Sequence, residues 1–180
     1  MTSVRLRRWS EPDAPLLVGA NTADMTAHIA GPETDEQVAR RHRNYLRFWE
    51  EDTAHMFAVL DGDEPVGGIG WWHIDRDGVA AAETGWFVLP HAQGRGVARA
   101  AVLLTIEDAA ASLAAGTDLY AFPSVTNLPS NALCAGTGFE LRGEEDFPFR
   151  GEVLHVNVWA TTLGERQAGR DSYELPRSSS

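Results

Sequence analysis

The sequence predicts a single α+β domain built around a mixed sheet. Three observations point to it: two hairpins follow one another between His55 and Leu89, a long amphipathic helix follows Pro90, and short strands alternate with a short helix from Leu119 to Trp159. The size agrees, because 180 residues of which 43% are apolar, six Trp and seven Phe among them, suffice for one sizeable core.

Val4 to Trp9 alternates as a first strand, and Ser10-Glu11-Pro12-Asp13 supplies helix-start chemistry for Ala14 to Ala20. Glu33 to Trp49 reads as a second helix, since Val38, His42, Tyr45 and Trp49 recur at the helical period while Arg40, Arg43 and Arg47 fall elsewhere. Strands His55 to Leu60, Val66 to Ile74 and Val79 to Leu89 follow, joined by turns at Asp61-Gly62-Asp63 and Asp75 to Gly78, as an antiparallel meander. The long helix runs from Gly96 to about Ala115 with the stripe Ala98, Ala101, Val102, Thr105, Ile106, Ala109 and Leu113, and Gly116 ends it. A strand at Leu119 to Phe122 leads to a short helix from about Pro129 to Thr137, capped by Gly138. Strand Phe139 to Gly143, an acidic connection and strand Glu152 to Trp159 complete the domain, residues 1–163, and residues 164–180 read as a polar tail.

The composition excludes several kinds of protein. There are 26 acidic side chains against 15 basic ones, all of them arginine, for a net charge of -11. That balance argues against a general affinity for nucleic acid, which draws on cations neutralising phosphates. The absence of lysine excludes Schiff-base chemistry and a Walker-type phosphate loop. Cys134 is the single cysteine, and no Cys pair or His-x-x-x-His spacing offers a zinc site, so no metal is expected. No apolar run approaches the ~18–20 residues of a spanning helix, and no apolar stretch follows the N-terminal arginines. A cytoplasmic protein without a membrane partner is the expectation.

The charge is unevenly placed. Between residues 50 and 83 stand nine acids, Glu83 among them, against Arg76 alone, whereas Thr84 to Ile106 holds no acid and two bases, Arg95 and Arg99. A polyanion meets no repulsion in that second window. It contains a Gly-rich turn, Gln93-Gly94-Arg95-Gly96-Val97-Ala98, that feeds the N-terminus of the long helix. Unpaired helix amides at the positive end of the helix dipole suit a phosphate, and glycine permits close approach.

This stretch resembles the acetyl-coenzyme A motif of the GNAT superfamily of N-acetyltransferases, Gln/Arg-x-x-Gly-x-Gly/Ala, at Gln93, Gly96 and Ala98. Glu83, Gly85 and Trp86 are similar to that family's Glu-x-Gly-aromatic strand, and Asn127 to Phe139 is similar to its Asn-x-x-Ser/Ala…Gly-Phe helix. The start, Leu6-Arg7-Arg8-Trp9 with Asp13-Ala14, resembles the branch that includes the Rim-type ribosomal-protein N-terminal acetyltransferases. The likeness runs from about Val4 to Leu163. It implies a mostly antiparallel sheet of six to seven strands with splayed central strands and about four helices.

The resemblance also implies roles. Phe87, Val88 and Leu89 would pair with the pantetheine arm of acetyl-coenzyme A as an added strand does. The pyrophosphate would rest on the amides of Gly94, Arg95, Gly96, Val97 and Ala98, and Asn127 would contact the coenzyme near its pantetheine. An amide at or next to Val88 would polarise the thioester carbonyl. The amine would attack the thioester directly in a ternary complex. Because an alkylamine is protonated at neutral pH, a base is needed, and Glu83 matches the family's acidic position; substrate orientation or a structural ion pair are its other readings.

The leaving-group acid is where the chain departs from the family, for Cys134 stands where Tyr is common. A thiol can donate a proton, yet buried free cysteines are inert packing in most proteins. Ser130, a turn earlier, could act through water, as could solvent alone. Of Trp71 and Trp72 only one can face the acceptor, since neighbouring strand residues point to opposite sides, and Trp72 is the candidate. Glu144, Glu145 and Asp146 lie between the last two strands and could attract a cationic amine, and His91 reads as a surface loop residue. The acceptor is then a protein or peptide N-terminal amine, or a small amine such as a polyamine, amino sugar or antibiotic. A non-catalytic acyl-coenzyme A sensor is the third reading, and a homodimer stays open.

Overall fold

The computed structural model describes residues 3–164; the expected polar tail lies outside the described residues, save Gly164. Strands β1 (Val4–Arg8), β2 (Ala54–Asp61), β3 (Glu64–Arg76), β4 (Val79–Val88), β5 (Asp118–Ala121), β6 (Glu140–Phe149) and β7 (Glu152–Thr162) form one sheet in the order β1-β2-β3-β4-β5-β7-β6. All neighbours are antiparallel except β4 and β5. The helices are α1 (Ala14–Ala20), α2 (Asp35–Glu51), α3 (Val97–Ser112) and α4 (Leu128–Gly136). This is the expected single α+β domain with a mixed, mostly antiparallel sheet. Among the described residues no helix is long and apolar enough to cross a membrane.

Both sheet faces are covered. Trp9, Leu17, Val38, Met56, Ala58 and Leu60 pack on the α1–α2 side, and Phe57, Ile69, Val88, Val97, Val102, Leu119 and Cys134 pack on the α3–α4 side. Alternation along β2 explains the division, since Met56, Ala58 and Leu60 face one layer while Phe57 and Val59 face the other. Helix α2 starts at a capping box in which the Thr34 hydroxyl accepts from the Gln37 backbone N–H and the Gln37 side-chain oxygen accepts from the Thr34 backbone N–H. Its expected stripe faces inward. His42 is buried, accepting at Nδ1 from the Trp9 indole at 3.0 Å and donating from Nε2 to Glu11.

The parallel contact between β4 and β5 is short. Only Ala82 with Leu119 and Glu83 with Tyr120 are paired, so the two strands part beyond Glu83. That opening in the sheet positions the site.

Two expectations need correction. The acidic residues 144–146 are not a connection: β6 continues through them to Phe149, beyond a bulge between Leu141 and Gly143. The strand tolerates the charges because His155 of β7 lies between Glu144 and Asp146, at 2.8 and 3.0 Å. The hydrogen bonds to Asp146 and Glu144 raise the pKa of that imidazole. Strand β7 likewise runs past Trp159 to Thr162.

Candidate active site

A cavity of about 610 Å³ lies beside the last residues of β4, beyond the point where β4 and β5 cease to pair. Its walls come from Trp86 to Val88, from the turn and first residues of α3, from the start of α4, and from Asp24, Met25 and His28. Gly94 and Gly96 have φ of 73° and 77°, a backbone region that strains any residue with a Cβ. Gly96 is the N-cap of α3 and contributes no side-chain bond, and the first helical bond there is Ala100 N–H to Gly96 C=O. The amides of Val97, Ala98 and Arg99 therefore have no helical partner at the cavity. An anionic group fits them.

The backbone of β4 offers further groups. Leu89 donates its N–H to Val66 C=O at 2.8 Å, which turns the N–H and C=O of Val88, and of Trp86 two residues earlier, away from β3. Gln93 Nε2 donates to the Val88 carbonyl at 2.8 Å, so the motif's glutamine closes the strand end rather than reaching outward. The amide of Val88 and both groups of Trp86 face the opening. This narrows the set Phe87, Val88 and Leu89: the backbone groups of Phe87 and the Leu89 amide serve β3, and Leu89 is absent from the cavity wall.

Other members of the expected set divide. Gln93, Gly94, Gly96, Val97, Ala98, Asn127 and Ser130 line the cavity. Arg95 does not, because it turns back to Asp61 at 3.1 Å. The cation on the wall is Arg99, one helical turn later, whose guanidinium reaches Gly136 C=O at 3.5 Å. Asn127 caps α4, accepting from the Ser130 amide at 3.3 Å. Cys134 is fully buried beneath α4 in the core, and burial pushes its thiol up to about 12. It does not reach the cavity, so Ser130 is the member of that pair with access.

Glu83 stands where β4 and β5 part. Trp72, its partner on β3, donates its indole N–H to Glu83 Oε2 at 3.2 Å. Burial raises the carboxyl to about 7, against the lowering effects of the Trp72 bond and the Arg76 charge. Gly85 makes the arrangement feasible: a Cβ there would lie 3.0 Å from the Trp72 ring, which passes over it. Trp71 faces the other side and donates to Asp108 of α3 at 2.8 Å, which leaves Trp72 as the tryptophan on the Glu83 side. His91 meets Glu64 at the surface.

The acidic triplet does not form an open anionic wall. Glu145 is bound through both oxygens by Arg76, at 2.9 and 3.0 Å, and Glu144 and Asp146 hold His155. The residues missed in the sequence are Asp24, Met25 and His28, on the non-periodic segment between α1 and α2. Asn21 closes its base with two hydrogen bonds to the backbone of Glu33, and His28 meets Thr126 at 3.0 Å. Only the charge window hinted at Arg99. Among the described residues no group of three or more His, Cys, Asp or Glu side chains is placed to hold a metal ion.

Residues 3–140, more than half of the chain, match the family described as the acetyltransferase (GNAT) domain. The chain belongs to this family of acetyl-coenzyme A-dependent enzymes and is an N-acetyltransferase. Similar solved structures include a RimL ribosomal L7/L12 α-N-protein acetyltransferase in complex with coenzyme A, at 18% identity and TM-score 0.74, over 91% of this chain and 96% of that one. An acetyltransferase from Salmonella typhimurium that modifies the N-terminal serine of ribosomal protein L7/L12 is 20% identical with TM-score 0.75, over 91% and 96%. Spermidine N-acetyltransferase from Vibrio cholerae, in complex with coenzyme A and spermine, is 19% identical with TM-score 0.73, over 89% and 95%. Among curated proteins, none matches by sequence.

Proposed function

We propose that this enzyme transfers the acetyl group of acetyl-coenzyme A to the α-amine of a peptide or protein N-terminus. The observation that carries the reading is Glu83, a half-buried carboxyl raised to about 7 at the point where β4 and β5 part. A base with a pKa near the working pH combines a useful ionised fraction with a useful proton affinity.

Acetyl-coenzyme A lies in the cavity with its pyrophosphate on the free amides of α3 and its pantetheine along Trp86 and Val88. Glu83 takes a proton from the ammonium, and the freed nitrogen attacks the thioester carbon. The Val88 amide stabilises the oxyanion that forms. The C–N bond replaces the C–S bond, and the second proton that the nitrogen sheds as it becomes an amide passes through Ser130 or water to the departing thiolate. Glu83 returns its own proton to solvent.

A polyamine acceptor finds little support in the charge map. Of the acids between residues 50 and 83, Glu51, Asp52, Asp61, Asp63 and Glu64 pair with Arg47, His55, Arg95, Arg5 and His91, and Asp75 closes a turn on Gly78. The test is thiol release from acetyl-coenzyme A across a panel of peptides and small amines. Saturable release with peptides supports the reading, and saturation by a polyamine alone overturns it.

A further inference from the structure

We propose that Arg76 is the acceptor-selecting residue, and that it takes an amine with a carbonyl group on the adjacent carbon, as in a peptide or amino-acid amide, over an amine with a second positive charge. The inference rests on the α-amine reading above and deepens it.

The guanidinium of Arg76 lies 5.1 Å from the ring centre of Tyr120 and 5.2 Å from that of Phe122. Tyr120 is the β5 partner of Glu83, so it shares that residue's face of the sheet. Tyr120 and Phe122 stack with ring centres 5.8 Å apart, and Phe147 extends the row at 5.7 Å from Phe122. Arg76 thus rests on an aromatic shelf that begins beside the base. Its charge acts on Glu83.

Arg76 is held rather than free. Glu145 accepts one bond from each terminal nitrogen, a planar two-point grip that fixes the guanidinium on the rings. Two of its five donors are used this way, which leaves three N–H groups for another acceptor. In an α-amine the carbonyl oxygen of the same residue lies within a residue's length of the nitrogen. With the nitrogen at Glu83, that oxygen meets a fixed cation and its unused donors.

The same arrangement disfavours a polyamine. A second ammonium arriving beside Arg76 meets a like charge, and the carboxylate that could offset it, Glu145, is already engaged. Glu144 and Asp146 project to the other face of β6 and serve His155.

The experiment compares wild type with Arg76→Gln and Glu145→Gln, all loaded with coenzyme and each assayed on the plateau above its rising pH limb, where Glu83 is ionised in all three and its lost interaction with Arg76 does not enter. The acceptors are a short peptide with a free N-terminus, an alkylamine of similar length without a carbonyl, and spermidine. Wild type should favour the peptide over spermidine by about tenfold or more in kcat/KM, and Arg76→Gln should raise the peptide KM about tenfold while changing the alkylamine less than about threefold. Glu145→Gln, which keeps the cation but loosens its grip, should raise the peptide KM by less. Equal losses on peptide and alkylamine in Arg76→Gln, or spermidine used as well as the peptide by wild type, would overturn the assignment. Peptide binding to the coenzyme complex by calorimetry reads the same preference without turnover. If no amine releases thiol but Arg76→Gln still weakens peptide binding selectively, the α-amine transfer reading fails and the binding role of Arg76 stands.

Discussion

Trp72 donates its indole N–H to Glu83 from the neighbouring strand at 3.2 Å. The bond favours the ionised carboxylate in surroundings whose burial disfavours it, and the balance leaves the group near 7. A base must be ionised to act, so kcat/KM rises with pH through about 7 and then levels. Trp72→Phe removes a lowering influence, and the rising limb should move to higher pH. A pH–rate profile of the two proteins with one peptide checks this.

The same group has an opposite effect on stability. Its folded pKa lies above the ordinary 4.5, so the folded state keeps a proton that the unfolded chain releases between 4.5 and about 7, and stability falls as pH rises through that interval. Glu83→Gln removes this loss. Its Tm should exceed that of wild type at about pH 8, with the gap closing near about pH 4, as thermal melts in matched buffers would show.

Cys134 sits in the core, whereas Ser130 lines the cavity. Cys134→Ala should therefore lose about 1 kcal/mol of stability, with turnover within about twofold of wild type. Ser130→Ala should lower kcat and leave the melting curve nearly unchanged. Measuring kcat and Tm on both variants separates packing from proton delivery.

Arg95 and Arg99 make a second contrast. Arg95 is paired with Asp61 off the cavity, and Arg99 is on its wall. Arg99→Ala should raise the KM for acetyl-coenzyme A several-fold and flatten its dependence on salt, and Arg95→Ala should do less. Coenzyme titrations at two ionic strengths distinguish the two.

Close packing on the sheet sets a further expectation. A Cβ at Gly70 would lie 2.3 Å from the Met56 sulfur and 2.5 Å from the His55 carbonyl oxygen. The second contact is backbone and cannot yield, so Gly70→Ala should cost about 1–3 kcal/mol by denaturant unfolding.

Much of this architecture is legible in local signals. Gly62 and Gly78 adopt positive φ at the two expected hairpin turns, whereas α3 ends at Ser112 with Leu113 as its cap, short of the expected stop at Gly116. The Gly-rich turn, Asn127 and Glu83 are legible in motif and charge pattern; the turn and Asn127 line the cavity, and Glu83 stands where β4 and β5 part, outside its wall. What stayed hidden depends on partners distant in sequence. The alternation of β6 makes sense only once His155 and Arg76 are placed against its acids. Met25 and His28 belong to a segment without periodicity, brought to the cavity by Asn21 and Thr126. Whether Arg95 or Arg99 faces the coenzyme depends on a helical turn that spacing alone does not orient.

The measurement that bears most directly on the account is peptide-dependent thiol release from acetyl-coenzyme A by wild type and by Glu83→Gln at about pH 7.5. Wild type should show saturable release, and the variant should lose about 10²-fold or more in kcat with coenzyme binding retained. Turnover by Glu83→Gln equal to wild type would contradict the role of Glu83 as base.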